Sequence, residues 1–491
     1  MPALVKPITV KEKVNLKIEN LIFGGEALAR YQGFTIFLPY GCPGDEVEAE
    51  VTEVKKDYAR AKITKIITPS PDRINPPCPY FYCLEEQVED KLFCGGCDWQ
   101  HIKYETQLQL KTAMVKDALK YIARFKEPNV LDIIPAEASF NYRNKMQLKV
   151  GLKEKEEGKK KITCGFYAKN THHIIDIEKC QIQTEVANEI LALARQLLGE
   201  YELPGYDEET HRGLVRHIIV RAGVNTDQYM LIFVTKEKDF PNKAEIAAKI
   251  MERFPQVLSV IQNINKAKTN VILGEDTLII AGKLKIQEKV KNLFFDISPV
   301  SFFQTNTRQA ERLYDTVLTF AGLSGQELVL DVYCGAGAIA LYLAPQAQKV
   351  IGIESGQSAV KDAMFNADWN KIENVEFRLG EADLVLSRLY KQQVKPDVIV
   401  VDPPRKGLTQ KVIDAIINLA PKRIIYVSCE PSTMARDLQI LHKKHYKLEV
   451  VQPVDMFPQT AHIECVAKIV KVNKAEITKS TEQIPKEVEI A

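Results

Sequence analysis

The amino-acid sequence predicts a multi-domain protein of α/β and β parts. An OB-like β-barrel comes first, then a small cysteine-bearing segment, an α+β central domain and a C-terminal Rossmann-like domain. Three observations predict this. Apolar and polar residues alternate with period two through residues 8–67, between glycine turns. From about residue 295 the pattern becomes strand–loop–helix repeated, which signals a parallel sheet with crossover helices. A chain of 491 residues is also too long for one ordinary core.

In the barrel, Val14, Leu16 and Ile18 alternate with polar residues, as do Val47, Ala49 and Val51; Ala61, Ile63 and Ile66 close the segment. Gly24-Gly25, Gly33 and Gly41-Cys42-Pro43-Gly44 supply turns. Such a barrel is either a generic β module or a nucleic-acid binder. The proline-rich stretch Pro69 to Pro79 ends it. A cysteine segment with a helix over Tyr104 to Ala123 fills residues 72–125. Residues 126–294 mix strands and helices, Val215 to Arg221 being one clear strand. Residues 295–472 hold the parallel sheet, and 473–491 read as a polar, disordered tail.

Net charge is only +2, so total charge points to no polyanionic partner. Between Arg143 and Lys161, however, eight Lys or Arg face three Glu. Residues 154–161 suit a solvated loop, whereas Arg143 and Lys145, before an alternating strand, suit phosphate contact. No apolar run is long enough to span a membrane, and Met1 to Lys6 lack an apolar signal core, so a cytoplasmic monomer is expected.

Ten cysteines in such a chain point to metal binding or catalysis rather than disulfides. Cys94-Gly95-Gly96-Cys97 is a C-x-x-C pair, with Cys78 and Cys83 upstream and Cys180 far downstream. Four thiolates suit Zn²⁺ or an iron–sulfur cluster, and spacing does not separate the two.

The strand Leu328 to Val332 runs into Tyr333-Cys334-Gly335-Ala336-Gly337 and then a helix, and the next strand ends in Glu354. Glycines let the backbone approach a ligand, and an acid at the second strand end can bond ribose hydroxyls. The full pyrophosphate fingerprint is missing, so S-adenosylmethionine fits better than NAD. Asp402-Pro403-Pro404-Arg405 follows the apolar strand Val398 to Val401, and Ser428-Cys429-Glu430-Pro431 follows Arg423 to Val427. Both motifs then face one crevice at the strands' carboxyl ends. A thiol there is a candidate nucleophile. Free cysteine titrates near about 8.5, so the site is expected to favour the thiolate, with Arg405 or Arg436 as candidate helpers.

These motifs, with Ser301-Phe302-Phe303-Gln304-Thr305-Asn306 and Asp455-Met456-Phe457-Pro458-Gln459-Thr460-Ala461-His462-Ile463-Glu464, resemble the RNA uracil-5-methyltransferase family, in particular its ribosomal-RNA members. The matching segments run from about residue 8 to 470. The resemblance implies an N-terminal TRAM domain, a [4Fe–4S] cluster segment, a central RNA-binding domain and a C-terminal S-adenosylmethionine-dependent methyltransferase domain. It implies Cys429 as nucleophile and Glu464 as base. Gln304, Tyr333, Glu354 and Asp402 become cofactor positions, and Cys78, Cys94, Cys97 and Cys180 cluster ligands. Residues 83–93 depart from the family as an insertion, which leaves Cys78 and Cys83 as rivals; Cys78-Pro79-Tyr80-Phe81 keeps the family's local pattern. Ribosomal RNA is the expected substrate, with transfer RNA the alternative. A nitrogen methyltransferase is disfavoured because Arg405 stands where such enzymes carry an aromatic residue. A non-catalytic RNA-binding protein is disfavoured because Cys429, Glu464 and Gln304 are all present.

Overall fold

The structure is a computed structural model that describes residues 7–84, 91–154 and 160–472. The expected disordered tail, most of the 154–161 loop and part of the 83–93 insertion lie outside the described residues. Five strands (Lys13–Leu21, Ala27–Tyr31, Phe34–Leu38, Glu46–Val54 and Tyr58–Thr68) form a closed barrel. Val14, Leu16, Ile18, Val47, Ala49, Val51, Ala61 and Ile63 point into its core, as the period-two pattern requires. Buried Asp45 ties the exit segment to the barrel, accepting from Arg73 Nη2 at 2.6 Å and from the Ser70 amide at 2.8 Å.

The helix expected over 104–123 is α-helical over Tyr104–Asp117 and continues as a π-helical turn, Ala118–Ile122. It packs between the barrel and the C-terminal domain, since Met114, Val115 and Leu119 share one apolar core with Val14, Ile18, Leu330 and Ile463. The central domain is a seven-stranded mixed sheet from Lys145–Glu154 to Asp276–Gly282. Helices Glu185–Glu200 and Lys243–Arg253 pack in a core with Leu148, Ile218 and Leu231. Ile219, Met230, Ile232 and Ile261 instead join the core of the C-terminal domain with Val329, Val350 and Val427. The boundary expected at 294/295 falls inside a hairpin, Ile286–Val290 with Leu293–Ile297, whose buried side chains pack in that same C-terminal core.

The C-terminal sheet has seven strands: β1 (Leu328–Val332), β2 (Lys349–Glu354), β3 (Val375–Leu379), β4 (Val398–Val401), β5 (Arg423–Ser428), β6 (Tyr446–Val454) and β7 (Glu464–Lys471). Their spatial order is β3-β2-β1-β4-β5-β7-β6. β1 to β5 run parallel, while β7 lies antiparallel between β5 and β6. Direction along the sheet reverses between β1 and β4, which opens a ligand crevice at the carboxyl ends. Among the described residues, no helix is long and apolar enough to cross a membrane.

One buried ion pair joins the 104–117 helix to the loop between β6 and β7. Lys111 Nζ lies 2.6 Å from Asp455 Oδ1, and both side chains are fully buried. Lys111 also donates to the Phe457 carbonyl at 3.0 Å, and Tyr104 Oη donates to Asp455 Oδ2 at 2.7 Å. Removing one partner of such a pair strands the other charge in a dry interior. Lys111→Met is therefore expected to destabilise the protein by about 3–5 kcal/mol. Urea unfolding followed at Trp99, whose ring sits 5.7 Å from Lys111 Nζ, measures this. Adding Asp455→Leu should cost less than the single change, because no unpaired charge remains.

Candidate active site and cysteine cavity

Strand register brings the proposed nucleophile and base together. Ser428 on β5 pairs with Cys465 on antiparallel β7. Cys429 directly follows β5 and Glu464 opens β7, so both lie at the same end of this strand pair. The Glu464 charge acts on the Cys429 thiol there. Asp402 follows β4, the strand on the other side of β5, and its amide donates to the Val332 carbonyl at 3.2 Å.

Burial raises the acids of this crevice. Glu464 is pushed well above its usual range by desolvation and by Asp402, with Arg405 opposing. Burial alone lifts Asp402 to about 6. Asp331, on β1, is lifted to about 8 by burial, then by Asp402. A favoured thiolate was expected; burial and the neighbouring acids push this thiol the other way. Cys429 is pushed up to about 11 by burial and by the charges of Glu464 and Asp402, and Arg405 offsets only part of that. Of the two candidate helpers, Arg405 acts on the thiol. Arg436 is tied to Asp437 at 2.7 Å and to the Lys406 carbonyl at 2.9 Å.

The glycine turn after β1 is held by the acid at the end of β2. Glu354 accepts from the Gly335 amide at 3.1 Å and the Gly356 amide at 2.7 Å. Tyr333 takes a left-handed backbone, φ 69°, at the start of this turn. A Cβ on Gly337 would meet Phe377 at 2.9 Å and Ala363 at 3.1 Å, whereas one on Gly335 would meet nothing within 4 Å. The turn is thus packed on one side and open on the other. Gln304 is 8% exposed, and its position is set by Asn144, which the sequence reading passed over. Asn144 Nδ2 donates to the Gln304 carbonyl at 2.9 Å and to Thr307 Oγ1 at 2.9 Å, and its amide donates to the Thr305 carbonyl at 2.8 Å. The only sequence signal for it was its place between Arg143 and Lys145.

Cys78, Cys94, Cys97 and Cys180 line one cavity of about 480 Å³; Cys83 is not among its lining residues. Cys94 is pushed up to about 12 and Cys180 to about 11, in both by burial first and by neighbouring cysteines. Among the described residues, no three His, Cys, Asp or Glu side chains converge tightly enough for a single metal ion. The cavity also reaches Arg143, Lys145, Phe457 and His462. Lys145 is lowered to about 8 by burial and by the nearby charges of Arg221 and Arg143. The cysteine site and the basic stretch therefore open onto the same side as the loop that carries Glu464.

A solved structure, the Pyrococcus abyssi tRNA (uracil-54, C5)-methyltransferase in complex with S-adenosyl-L-homocysteine, superposes with a TM-score of 0.73 at 28% identity, covering 93% of this chain and 99% of that one. With the glycine turn and its acid, that likeness defines the class: an S-adenosylmethionine-dependent methyltransferase. Residues 103–472 match the tRNA (Uracil-5-)-methyltransferase family and residues 7–64 the TRAM domain. An uncharacterized RNA methyltransferase of Oceanobacillus iheyensis is 42% identical over 94% of this chain and 97% of its own. Another, from Clostridium tetani, is 41% identical over 94% and 96%. The chain belongs to the tRNA (uracil-5-)-methyltransferase family and is an S-adenosylmethionine-dependent RNA (uracil-5-)-methyltransferase carrying a TRAM domain.

In the ligand-free protein the high proton affinity of Cys429 has a measurable result. Only the thiolate is alkylated, so iodoacetamide labelling of the Cys429 peptide should rise about tenfold per pH unit from neutrality toward about 11, without a plateau near about 8.5. Arg405→Gln should slow labelling further, because it removes the opposing positive charge. Peptide mass spectrometry reads both.

Proposed function

We propose that the enzyme methylates C5 of a uridine in RNA through a covalent adduct between Cys429 and C6 of the base, with Glu464 removing the C5 proton. The observation that carries this is that Cys429 and Glu464 flank the Ser428–Cys465 pair at one end of neighbouring strands, where the Glu464 charge acts on the thiol. C5 of uracil is a poor nucleophile. When the Cys429 sulfur bonds to C6, the C5=C6 electron pair shifts onto C5 and O4, making C5 an enolate-like carbon. S-adenosylmethionine supplies an electrophilic methyl group on a sulfonium, which departs as a neutral thioether. Glu464 accepts the proton from methylated C5; the C–H pair re-forms C5=C6 and the C6–S bond breaks, returning its electrons to Cys429. Burial suits Glu464 to this role by raising its proton affinity.

Glu354, Gln304, Tyr333 and Asp402 are proposed to hold the cofactor. The open side of the Gly335 turn and the remaining lone pairs of Glu354 support that reading. The target base must leave any stacked helix to present C5 and C6 on its faces. Arg143 and Lys145, with the barrel and the central domain, are proposed to bind the surrounding phosphates.

Cys78, Cys94, Cys97 and Cys180 are proposed to hold a [4Fe–4S] cluster. They fit it chemically: four thiols from three chain segments line one cavity. Such a group would supply a cross-link between these segments. Anaerobically purified protein should contain about four iron per chain with visible iron–sulfur absorbance. A colourless protein loaded with one zinc would overturn this assignment.

Ribosomal RNA is the proposed substrate, on the resemblance of the barrel and cysteine arrangement to the ribosomal members. Transfer RNA is the second reading, favoured by the likeness to the Pyrococcus abyssi enzyme. Mapping 5-methyluridine in ribosomal and transfer RNA from cells with and without the gene decides between them. Cys429→Ser should abolish methylation; persistence of full activity would sink the covalent mechanism. Glu464→Gln should remain attached to methylated RNA through a denaturing gel.

A further inference from the structure

The loop that leads to Glu464, residues 455–463, is buried except at Phe457 and His462, and other elements hold it in place. Gln459 has a left-handed backbone, φ 69°, which a non-glycine residue keeps only where its surroundings impose it. Gln107, Asp98 and Trp99 impose it here. Gln107, on the 104–117 helix, bonds Gln459 reciprocally: its Nε2 donates to Gln459 Oε1 at 3.0 Å, and the Gln459 amide donates to Gln107 Oε1 at 3.1 Å. From the cysteine segment, the Asp98 and Trp99 amides donate to the Gln459 carbonyl at 2.9 and 3.0 Å. Asp98 Oδ2 then accepts from the Ala461 amide at 3.1 Å, while Oδ1 accepts from Lys169 Nζ at 2.9 Å. The barrel closes over this contact. A Cβ on Gly25 would lie 3.1 Å from Asp98 Cβ and 3.2 Å from Ala461 Cβ.

We infer that Asp98 and Gln107 are positioning residues for the base: together they clamp the backbone of residues 459–461 and so aim the Glu464 carboxylate at C5 of the adduct. Neither touches the reacting atoms. Their effect falls on the last step, in which Glu464 takes the C5 proton, the C–H electron pair re-forms C5=C6, and the C6–S pair returns to Cys429. The inference rests on the covalent mechanism proposed above.

Asp98→Ala and Gln107→Ala are the tests, from two separate elements. Misplacement of a reacting group by about 1 Å costs on the order of 100-fold, and a fall in kcat of that size is expected. kcat/KM for RNA and for S-adenosylmethionine should stay within about threefold, because the affected step follows irreversible methyl transfer, so both KM values should fall along with kcat. Covalent enzyme–RNA complex should accumulate on denaturing gels beyond the wild-type level. Asp98→Asn keeps an oxygen for the Ala461 amide and should restore most of the rate. The metal content of each variant, measured alongside, should match wild type. The clamp is refuted if both alanine variants turn over like wild type, or if they slow without extra adduct while cofactor affinity falls in parallel. A Glu464→Gln control separates the two levels. Adduct in that control without adduct in the clamp variants sinks the clamp alone; no adduct in the control sinks the covalent mechanism and the clamp with it.

Discussion

The antiparallel pairing of β7 against β5 is the constraint on which the site depends. Parallel β4 brings Asp402 to the crevice at its carboxyl end, and a strand running the other way brings a further acid to the same place at its amino end. β7 does this, and its first residue is Glu464. The cost is a long connection that must cross the same end of the sheet under cover of other domains. Every buried peptide group in that connection needs a partner. The partners come from the 104–117 helix, from the cysteine segment and from Asn306 and Gln309, whose amides donate to the Met456 and Asp455 carbonyls.

The same crevice gathers carboxyl groups. Asp331, Asp402 and Glu464 are all buried and all raised; Glu464 and Asp402 disfavour a negative charge on Cys429, and Asp402 disfavours one on Asp331 and Glu464. Arg405 is the opposing charge for Cys429 and Glu464. An acid-rich, partly dry crevice favours a cationic ligand, and a positive charge there would offset the acids that push the Cys429 thiol up.

Much of this was legible in the sequence. Period-two alternation around Val14, Leu16 and Ile18 gives the barrel, and apolar runs ending in Asp402 and Cys429 give strand ends on one edge. Local pattern suffices there, because each element's buried face is written in its own residues. The juxtaposition of Glu464 with Cys429 was reached only through resemblance, since register between β5 and β7 is a property of the folded sheet. The upward push on the Cys429 thiol was missed for a related reason: it comes from burial and from Glu464 and Asp402, which only the fold brings to it. Gln107 and Asp98 gave no signal at all. A glutamine on a helix and an aspartate after a cysteine are ordinary residues until their partners, more than 300 positions away, are in place.

That separation bears on how the molecule is made. Gln107 and Gln459 stand 352 positions apart, and Tyr104 and Asp455 stand 351 apart. Synthesis proceeds from the N-terminus, and domains fold as they emerge. The barrel, the cysteine segment and the helix are thus in place long before the loop they support exists. β7, the last of the seven strands in sequence, lies between β5 and β6 and brings Glu464 to the end of β5 that Cys429 follows. The two side chains proposed for the reaction are thus brought together by the last of these strands to be made.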